Sequence, residues 1–392
     1  MFILHSSNKT ENLLEHLASI LKNPLSSPLS TEVFLIQSQG MERWLSQQLA
    51  THSQVYANFE FFFPGKFFSQ MARQIHSRLN TDVFVRELMV WRFELLLNDL
   101  EDEVFSPLKS YLEGENSALK RFQLATNLAQ VFDQYQMMRP QMLNDWTHHK
   151  LHYDTLTEKW QQALWVKLIA QTGDEHRGEL WLKAIAKFNE SPEGTLSKYL
   201  PERISIVGLN TMPPLFMAFL QGLSRHTEVH FYLLNPAEAF WADIMSRKQA
   251  NLDDFENGHP LLASLGQQGR EFQQMLLEQA FNMEIDSFEQ NSLSKEENAD
   301  EKSLSVLQHL QNDILKNRIA GRSLALDSSL SIHSCHSRMR EVEVLKEQLL
   351  HALEQDAELE LRDIIVMAPD IQQYAPFINA VFNGIQHSIA DR

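Results

Sequence analysis

Residues 2–21, FILHSSNKTENLLEHLASIL, have the pattern of a strand, a short polar loop and an amphipathic helix. A second unit of the same kind follows, with an apolar strand at 31–38 (TEVFLIQS), a turn at Gln39-Gly40 and a helix at 41–50. Apolar strands that alternate with helices and lack polar alternation favour a parallel sheet covered on both faces. The chain is therefore predicted to begin with an α/β domain.

A long helical region interrupts this α/β pattern. Between 83 and 198 the sequence predicts several helices and little strand. Strand patterns return at 203–209 and at 228–234 (EVHFYLL), with a helix between them. We therefore expect residues 1–82 and 199–283 to share one sheet, and residues 83–198 to form a helical insertion.

A polar, acidic stretch at 284–302 predicts a mobile loop or linker, so residues 284–328 are expected to be a linker and a helical connection. A second α/β unit is predicted over 329–392. Its elements are a strand at 329–335 (SLSIHSC), a helix at 340–354, a buried strand at 363–368 (DIIVMA) and a helix at 371–382. Because these elements do not complete a sheet, we expect a truncated piece that holds only the start of its last domain.

The chain is acidic, with 51 Asp and Glu against 34 Lys and Arg and a formal net charge of −17 over 392 residues. This balance excludes a uniformly basic coat for nucleic acid, but a basic lining inside one cleft is compatible with it. A single cysteine, Cys335, excludes an intrachain disulfide and any metal site built from several cysteines. The sequence has no apolar run of membrane-spanning length and no basic start of a signal peptide, so we expect a cytoplasmic protein without membrane contact.

The loop at 6–10 (SSNKT) lies where a phosphate-binding P-loop would lie, between the first strand and the first helix. Its last three residues, Asn-Lys-Thr, are similar to the Gly-Lys-Thr at the end of the P-loop motif. It lacks the glycines that let such a loop present consecutive backbone N–H groups to a triphosphate. The pair Gly65-Lys66 fails the motif as well. We therefore predict a degenerate loop, no Walker A site and no cofactor.

Two groups of side chains suggest a metal site. They are His148, His149 and His152 in one group, and His333, Cys335 and His336 in the other. Neither group has an obvious further ligand nearby, and metal sites need three or four. Solvated or buried histidines and a small buried cysteine are the better interpretation, so no metal is predicted.

Three segments carry side chains suited to nucleic acid. The first, 36–45 (IQSQGMERWL), follows a strand at the edge where open α/β sheets bind ligands, and its Gln and Arg side chains can contact base edges. The second, 59–68 (FEFFFPGKFF), offers rings on which bases stack, and the third, 132–140 (FDQYQMMRP), ends a helix at a proline. Each segment also has a simpler interpretation. The first is a strand–helix turn with Trp44 packed inward, the second is a core plug, in which the rings only fill the hydrophobic core, and the third is an ordinary polar surface.

Together these segments resemble the N-terminal part of the RecC family, the gamma subunits of exodeoxyribonuclease V (the RecBCD complex). The further matching stretches are His5-Ser6 with Asn8, 58–64, Gly208 with Pro213-Pro214, 257–269, 333–345 (HSCHSRMREVEVL) and 362–382 (RDIIVMAPDIQQYAPFINAVF). The resemblance implies a helicase-like, P-loop NTPase-like fold that has lost its ATPase motifs. It makes 1–82 and 199–283 a 1A-like domain, 83–198 a 1B-like insertion, and 329–392 the start of a 2A-like domain.

The resemblance also implies a role in recombinational repair of double-strand breaks. RecC proteins are non-catalytic subunits that hold the RecB and RecD motors, help to split the duplex and scan the 3′-ended single strand for the hotspot Chi. We therefore expect single-stranded and duplex-end DNA and the RecB and RecD subunits as partners in a heterotrimer, and no intrinsic enzymatic activity. The alternatives are an active P-loop ATPase or nuclease acting on DNA, and a fragment that binds nothing without its partners.

The residues that the resemblance assigns to Chi recognition line a single-strand tunnel. They are Gln37, Gln39, Arg43, Phe63 and Ser69 in the first domain, Asp133, Gln134 and Arg139 in the insertion, and, as a looser match, Arg177 as a partner of an acidic latch around Asp133. Three of them depart from the familiar pattern, with Gln39 in place of Thr, Arg43 in place of Gln and Ser69 in place of Trp. Because Arg favours guanine edges and Gln favours adenine, the tunnel is expected to have an altered sequence preference or to have lost Chi recognition.

Overall fold

A six-stranded parallel sheet organises the first part of the protein. The computed structural model describes residues 1–27, 29–53, 57–75, 84–173, 176–241, 258–290, 304–319, 325 and 327–383. The chain divides into two units, which are Met1–Ser292 with Leu310–Gly321, and Leu293–His309 with Arg322–Arg392.

The strands of the sheet are β1 Phe2–Ser7, β2 Glu32–Leu35, β3 Phe59–Phe62, β4 Arg203–Val207, β5 Glu228–Leu234 and β6 Met283–Asp286. Their order is β3-β2-β4-β5-β1-β6, and every neighbouring pair is parallel. All the carboxyl ends of the strands therefore lie at one edge of the sheet.

The helices are α1 Thr10–Leu21, α2 Gln39–Ser53, α3 Pro64–Ile75, α4 Arg86–Leu96, α5 Ser106–Leu112, α6 Ser117–Met138, α7 Pro140–Thr147, α8 Leu156–Thr172, α9 Arg177–Glu190, α10 Pro214–Leu223, α11 Pro260–Leu265, α12 Gln267–Leu277, α13 Val306–Leu315, α14 Arg338–Gln355 and α15 Ile371–Asn383. The helices predicted at 41–50, 340–354 and 371–382 are confirmed as α2, α14 and α15, each with its ends within a few residues of the predicted ones.

The sheet is covered on both faces because its strands are apolar at successive positions. On β2, Val33 and Leu35 belong to the core that also contains residues of α3, α9, α10 and α12. Phe34 and the next residue after the strand, Ile36, belong to the core on the other face, which contains residues of α1 and α2. This two-sided burial confirms the predicted α/β class and the predicted parallel sheet.

The helices α4 to α8 enclose a core of their own within the predicted insertion. Phe93, Phe132 and Trp165 are fully buried there. The next helix, α9, also lies within 83–198, but its Trp181 and Phe188 are buried in the core of the sheet. The separate helical core therefore ends with α8, and α9 belongs to the packing of the sheet.

The structure differs from the predicted strand pattern at the end of the sheet. Residues 284–286, expected in a linker, belong to β6 and pair with β1. The strand is only four residues long and largely exposed, so its own sequence gives little periodic signal. The rest of the predicted linker falls partly on 291–303 and 320–324, outside the described residues.

The two strands predicted in the last unit are a second correction. Within the described residues, 329–335 and 364–368 are not in strands, and Ile332 and Met367 are 91% and 81% exposed. An apolar alternation is buried only when neighbouring strands complete a sheet, and no strand is assigned in the described part of this unit. The predicted helices do form, as α14 and α15, and they pack against each other.

Candidate nucleic-acid interface

The carboxyl ends of β2 and β3 bring two of the expected site residues to adjacent positions. The buried Ile36, which follows β2, donates its N–H to the Phe62 carbonyl at 3.0 Å. The next residue in each chain segment is Gln37 or Phe63, and both side chains are exposed, Phe63 by 48%. An amide and an aromatic ring therefore lie at the same edge of the sheet.

The start of α2 presents the other polar side chains of this segment. Ser38 Oγ accepts the N–H of Met41 at 3.2 Å, which stabilises the first turn of the helix. Gln39 and Arg43 are exposed, whereas Trp44 is half-buried and packs beside Leu45. The first turns of α2 therefore pack Trp44 inward and leave Gln39 and Arg43 exposed to solvent. The two interpretations of this segment are compatible.

The aromatic run at 59–68 has a double role in packing. Phe59 and Phe61 lie against one core of the sheet and Phe62 against the other, so the run forms the edge strand β3. Phe67 and Phe68 are fully buried and attach α3 to the sheet. The core-plug interpretation is thus correct for most of these rings, and Phe63 is the exposed exception within 59–68.

Ser69 lies on the outer side of α3 and is half-buried. It lines a groove of about 430 Å³ whose other lining residues are Lys66, Gln70, Arg73 and Gln74. A serine at this position leaves open the volume that a larger side chain would fill.

The four remaining site residues lie where α6 meets α9. Arg177 Nη2 donates to Asp133 Oδ1, and both side chains are about one-quarter exposed. The Arg177 N–H donates to Gln136 Oε1 at 3.2 Å, and its guanidinium lies 5.7 Å from the ring centre of Trp181. Gln134 and Arg139 are exposed near the end of α6.

A close backbone approach holds this junction together. A Cβ on Gly178 would lie 2.5 Å from the Gln136 carbonyl oxygen, so only glycine permits the observed separation of α6 and α9. The structure thus forms two clusters, one at the sheet edge and one at the α6–α9 junction. Among the described residues no hydrogen bond or ion pair joins Gln37 or Arg43 to the second cluster.

The loop at 6–10 is engaged by the segment that follows β6. Lys9 Nζ pairs with Glu289 Oε2 at 2.7 Å, and the Asn8 side chain exchanges hydrogen bonds with the Glu289 backbone at 2.8 and 2.9 Å. Ser7 Oγ accepts the Lys9 N–H at 3.1 Å. The cavity beside this loop measures about 110 Å³ and is lined mostly by apolar side chains. Small-molecule pockets usually measure roughly 300–1,000 Å³.

Two of the three histidines at 148–152 have side-chain partners within the helical insertion. His148 Nδ1 donates to the Asn144 carbonyl at 2.8 Å, and His152 Nε2 donates to Asp145 Oδ2 at 3.0 Å. In the part of the chain that the structure covers, no three His, Cys, Asp or Glu side chains are grouped as a metal site requires. None of the described helices is long and apolar enough to cross a membrane.

Residues 2–317 match the family model described as "RecC, N-terminal domain". The chain belongs to the RecC N-terminal domain family. Among its RecC relatives, the "RecBCD enzyme subunit RecC" of Escherichia coli K12 is 32% identical over 100% of this chain and 39% of its own length. The proteins of the same name from Haemophilus influenzae and Mycolicibacterium smegmatis are 31% and 32% identical, over 97% of this chain and 39% and 34% of their own lengths. The chain therefore spans less than two-fifths of these RecC relatives.

Two features of this RecC-family chain were not predicted from its sequence. The partner of Lys9, Glu289, is 280 residues away and has no motif to mark it. The cations of α3, Lys66 and Arg73, had a visible signal, because no Asp or Glu occurs between Glu60 and Asp82 in an otherwise acidic sequence.

Proposed function

We propose that this chain is part of a non-catalytic, helicase-like scaffold subunit that acts in recombinational DNA repair. In this proposal it binds the 3′-ended single strand and recognises the hotspot Chi. The name of its relatives, "RecBCD enzyme subunit RecC", supports the assignment and makes RecB and RecD the proposed partners.

The observation that carries the proposal is the exposure of Gln37, Gln39, Arg43 and Phe63 at the carboxyl edge of a parallel sheet. Open α/β sheets bind their ligands at this edge. Amide and guanidinium groups match the donor and acceptor patterns of base edges, and an exposed phenylalanine offers a surface for base stacking.

The engagement of Lys9 supports the non-catalytic part of the proposal. In a P-loop the equivalent lysine contacts the β- and γ-phosphates, whereas here its ammonium group pairs with the Glu289 carboxylate. The small apolar cavity beside the loop also disfavours a nucleotide.

Exchanging Arg43 for glutamine tests the base contacts. Fluorescence anisotropy would compare single strands that differ at single guanine or adenine positions. Arg43→Gln is expected to move the preference from guanine towards adenine, by about 1–3 kcal/mol per specific contact. Arg86→Gln, an exposed arginine on α4, is the matched control and should leave the preference unchanged.

An unchanged preference in Arg43→Gln would remove Arg43 from the proposed site. In the complex assembled with RecB and RecD, the double charge reversal Arg43→Glu with Arg139→Glu should abolish hotspot-dependent changes in DNA degradation. Retention of full hotspot dependence would show that these residues do not line the tunnel.

The enzymatic alternative has its own test. We expect the purified chain to hydrolyse no ATP in the presence of Mg²⁺, with or without single-stranded DNA. Hydrolysis that Lys9→Ala abolishes would instead establish an active P-loop and overturn the scaffold proposal.

A further inference from the structure

The helix α3 has a polar face that the proposed base contacts use only in part. Lys66, Gln70 and Arg73 are exposed at positions i, i+4 and i+7, and Ser69 and Gln74 lie beside them in the groove of about 430 Å³. The opposite face is fixed in the sheet core by Phe67, Phe68, Met71 and Ala72. The polar face is therefore presented by a firmly anchored helix.

The charge of this face is opposite to that of the chain as a whole. The sequence has 51 acidic residues against 34 basic ones, yet it has no acid between Glu60 and Asp82. Lys66 and Arg73 lie within that interval. Local basic excess on an acidic protein is what polyanion binding requires.

Two acidic residues line the adjacent cavity of about 560 Å³, which shares Gln70 and Gln74 with the groove. They are Glu60, which is exposed, and Glu202. The Glu202 carboxylate accepts hydrogen bonds from the hydroxyls of Ser26 and Ser30 at 2.6 and 2.7 Å. These hydroxyl donors stabilise the carboxylate and occupy its oxygens, so Glu202 already has partners of its own.

We propose that the polar face of α3 binds the backbone phosphates of single-stranded nucleic acid. Lys66 and Arg73 pair with phosphate oxygens, and the side chains of Ser69, Gln70 and Gln74 donate hydrogen bonds to them. The inference rests on the proposed function, since the exposed Phe63 immediately precedes α3 and offers stacking to the bases of the same strand. Seven residues of helix separate the two cations by about 10 Å along the axis, a span that reaches more than one phosphate.

The test measures binding of a fluorescent oligothymidylate by anisotropy as NaCl increases. A single repeated base removes any contribution from sequence recognition. Two lost phosphate contacts are expected to make the slope of log affinity against log salt shallower by about 1.4 in the double variant Lys66→Gln/Arg73→Gln, roughly 25-fold weaker binding at about 0.1 M salt. The matched control is Arg86→Gln/Lys159→Gln, two exposed cations of the helical insertion, and it should bind like the parent.

Each outcome decides between the two proposals. If the parent binds and the α3 variant has the same affinity and salt slope, the phosphate assignment is wrong and the proposed function stands. If the parent binds no single strand even at low salt, the proposed function fails first. If the α3 double variant binds oligothymidylate like the parent but loses the binding of a polyglutamate peptide, α3 is a docking face for an acidic protein segment, and the phosphate assignment is overturned. An unchanged melting temperature in both double variants shows that the fold is intact.

Discussion

Acidification is predicted to destabilise the sheet through one buried histidine, His5 on β1. Its Nε2 is hydrogen-bonded to Nδ1 of His230 at 3.0 Å, and its ring stacks on Tyr232 with centroids 4.6 Å apart. Burial, followed by the proximity of His230 and His16, lowers the pKa of His5 from 6.5 to about 3. His5 is therefore neutral in the folded chain well below neutral pH.

The size of the effect follows from proton linkage. Below a pH of 6.5 the unfolded chain binds a proton at His5, whereas the folded chain does so only near pH 3. The contribution of His5 to stability is thus complete above pH 6.5 and is lost as the pH falls towards 3. Between about pH 7.5 and about pH 5 this linkage costs roughly 2 kcal/mol of unfolding free energy.

Urea unfolding followed by tryptophan fluorescence at both pH values would measure this loss. His5→Gln keeps a polar contact available to His230 and removes the titrating group, so its unfolding free energy should fall by about 2 kcal/mol less than that of the parent. His52→Gln, at an exposed histidine on α2, should lose as much as the parent. An equal loss in His5→Gln and the parent would refute the reasoning.

Three further substitutions test the packing of the first unit. Glu158→Ala should destabilise the helical insertion by about 2–4 kcal/mol in thermal unfolding, because four N–H groups donate to this carboxylate at 2.6–3.0 Å; Glu158→Gln, which keeps an acceptor, should lose less. Gly178→Ala should cost about 1–3 kcal/mol by overpacking, whereas Gly65→Ala, with its nearest neighbour at 3.9 Å, should be tolerated. Glu32→Gln should cost about 3–5 kcal/mol in urea unfolding, since it leaves the buried Arg203 without its anionic partner; a loss below about 1 kcal/mol would contradict this.

The elements around the candidate site could be predicted because each has a local signal. The strand β2 is a continuous apolar run, and α2 begins at Gln39, within the Gln39-Gly40 pair that the sequence indicates as a turn. The positions of Gln37 and Arg43 at the sheet edge therefore follow from the sequence. The burial of Trp44 beneath them is equally local, since it depends on the helical period.

What the sequence could not predict depends on distant partners. The strand β6 exists through its pairing with β1, and Lys9 is engaged by a residue on the segment after β6. In the last unit the sequence predicts a strand that does not form. Apolar and polar residues alternate clearly at 329–335, yet the described residues of that unit contain no neighbouring strand. Periodicity indicates which face could be buried, whereas burial itself requires a partner.

The helix α9 sets a fixed length in the first unit. Its first residue, Arg177, pairs with Asp133 on α6, and further along it Trp181 and Phe188 are buried against the sheet. A helix of 14 residues is a rod about 21 Å long, and it resists compression because its backbone hydrogen bonds all run along its axis. The α6–α9 junction is therefore held by a stiff strut at a fixed distance from the part of the sheet against which Phe188 packs.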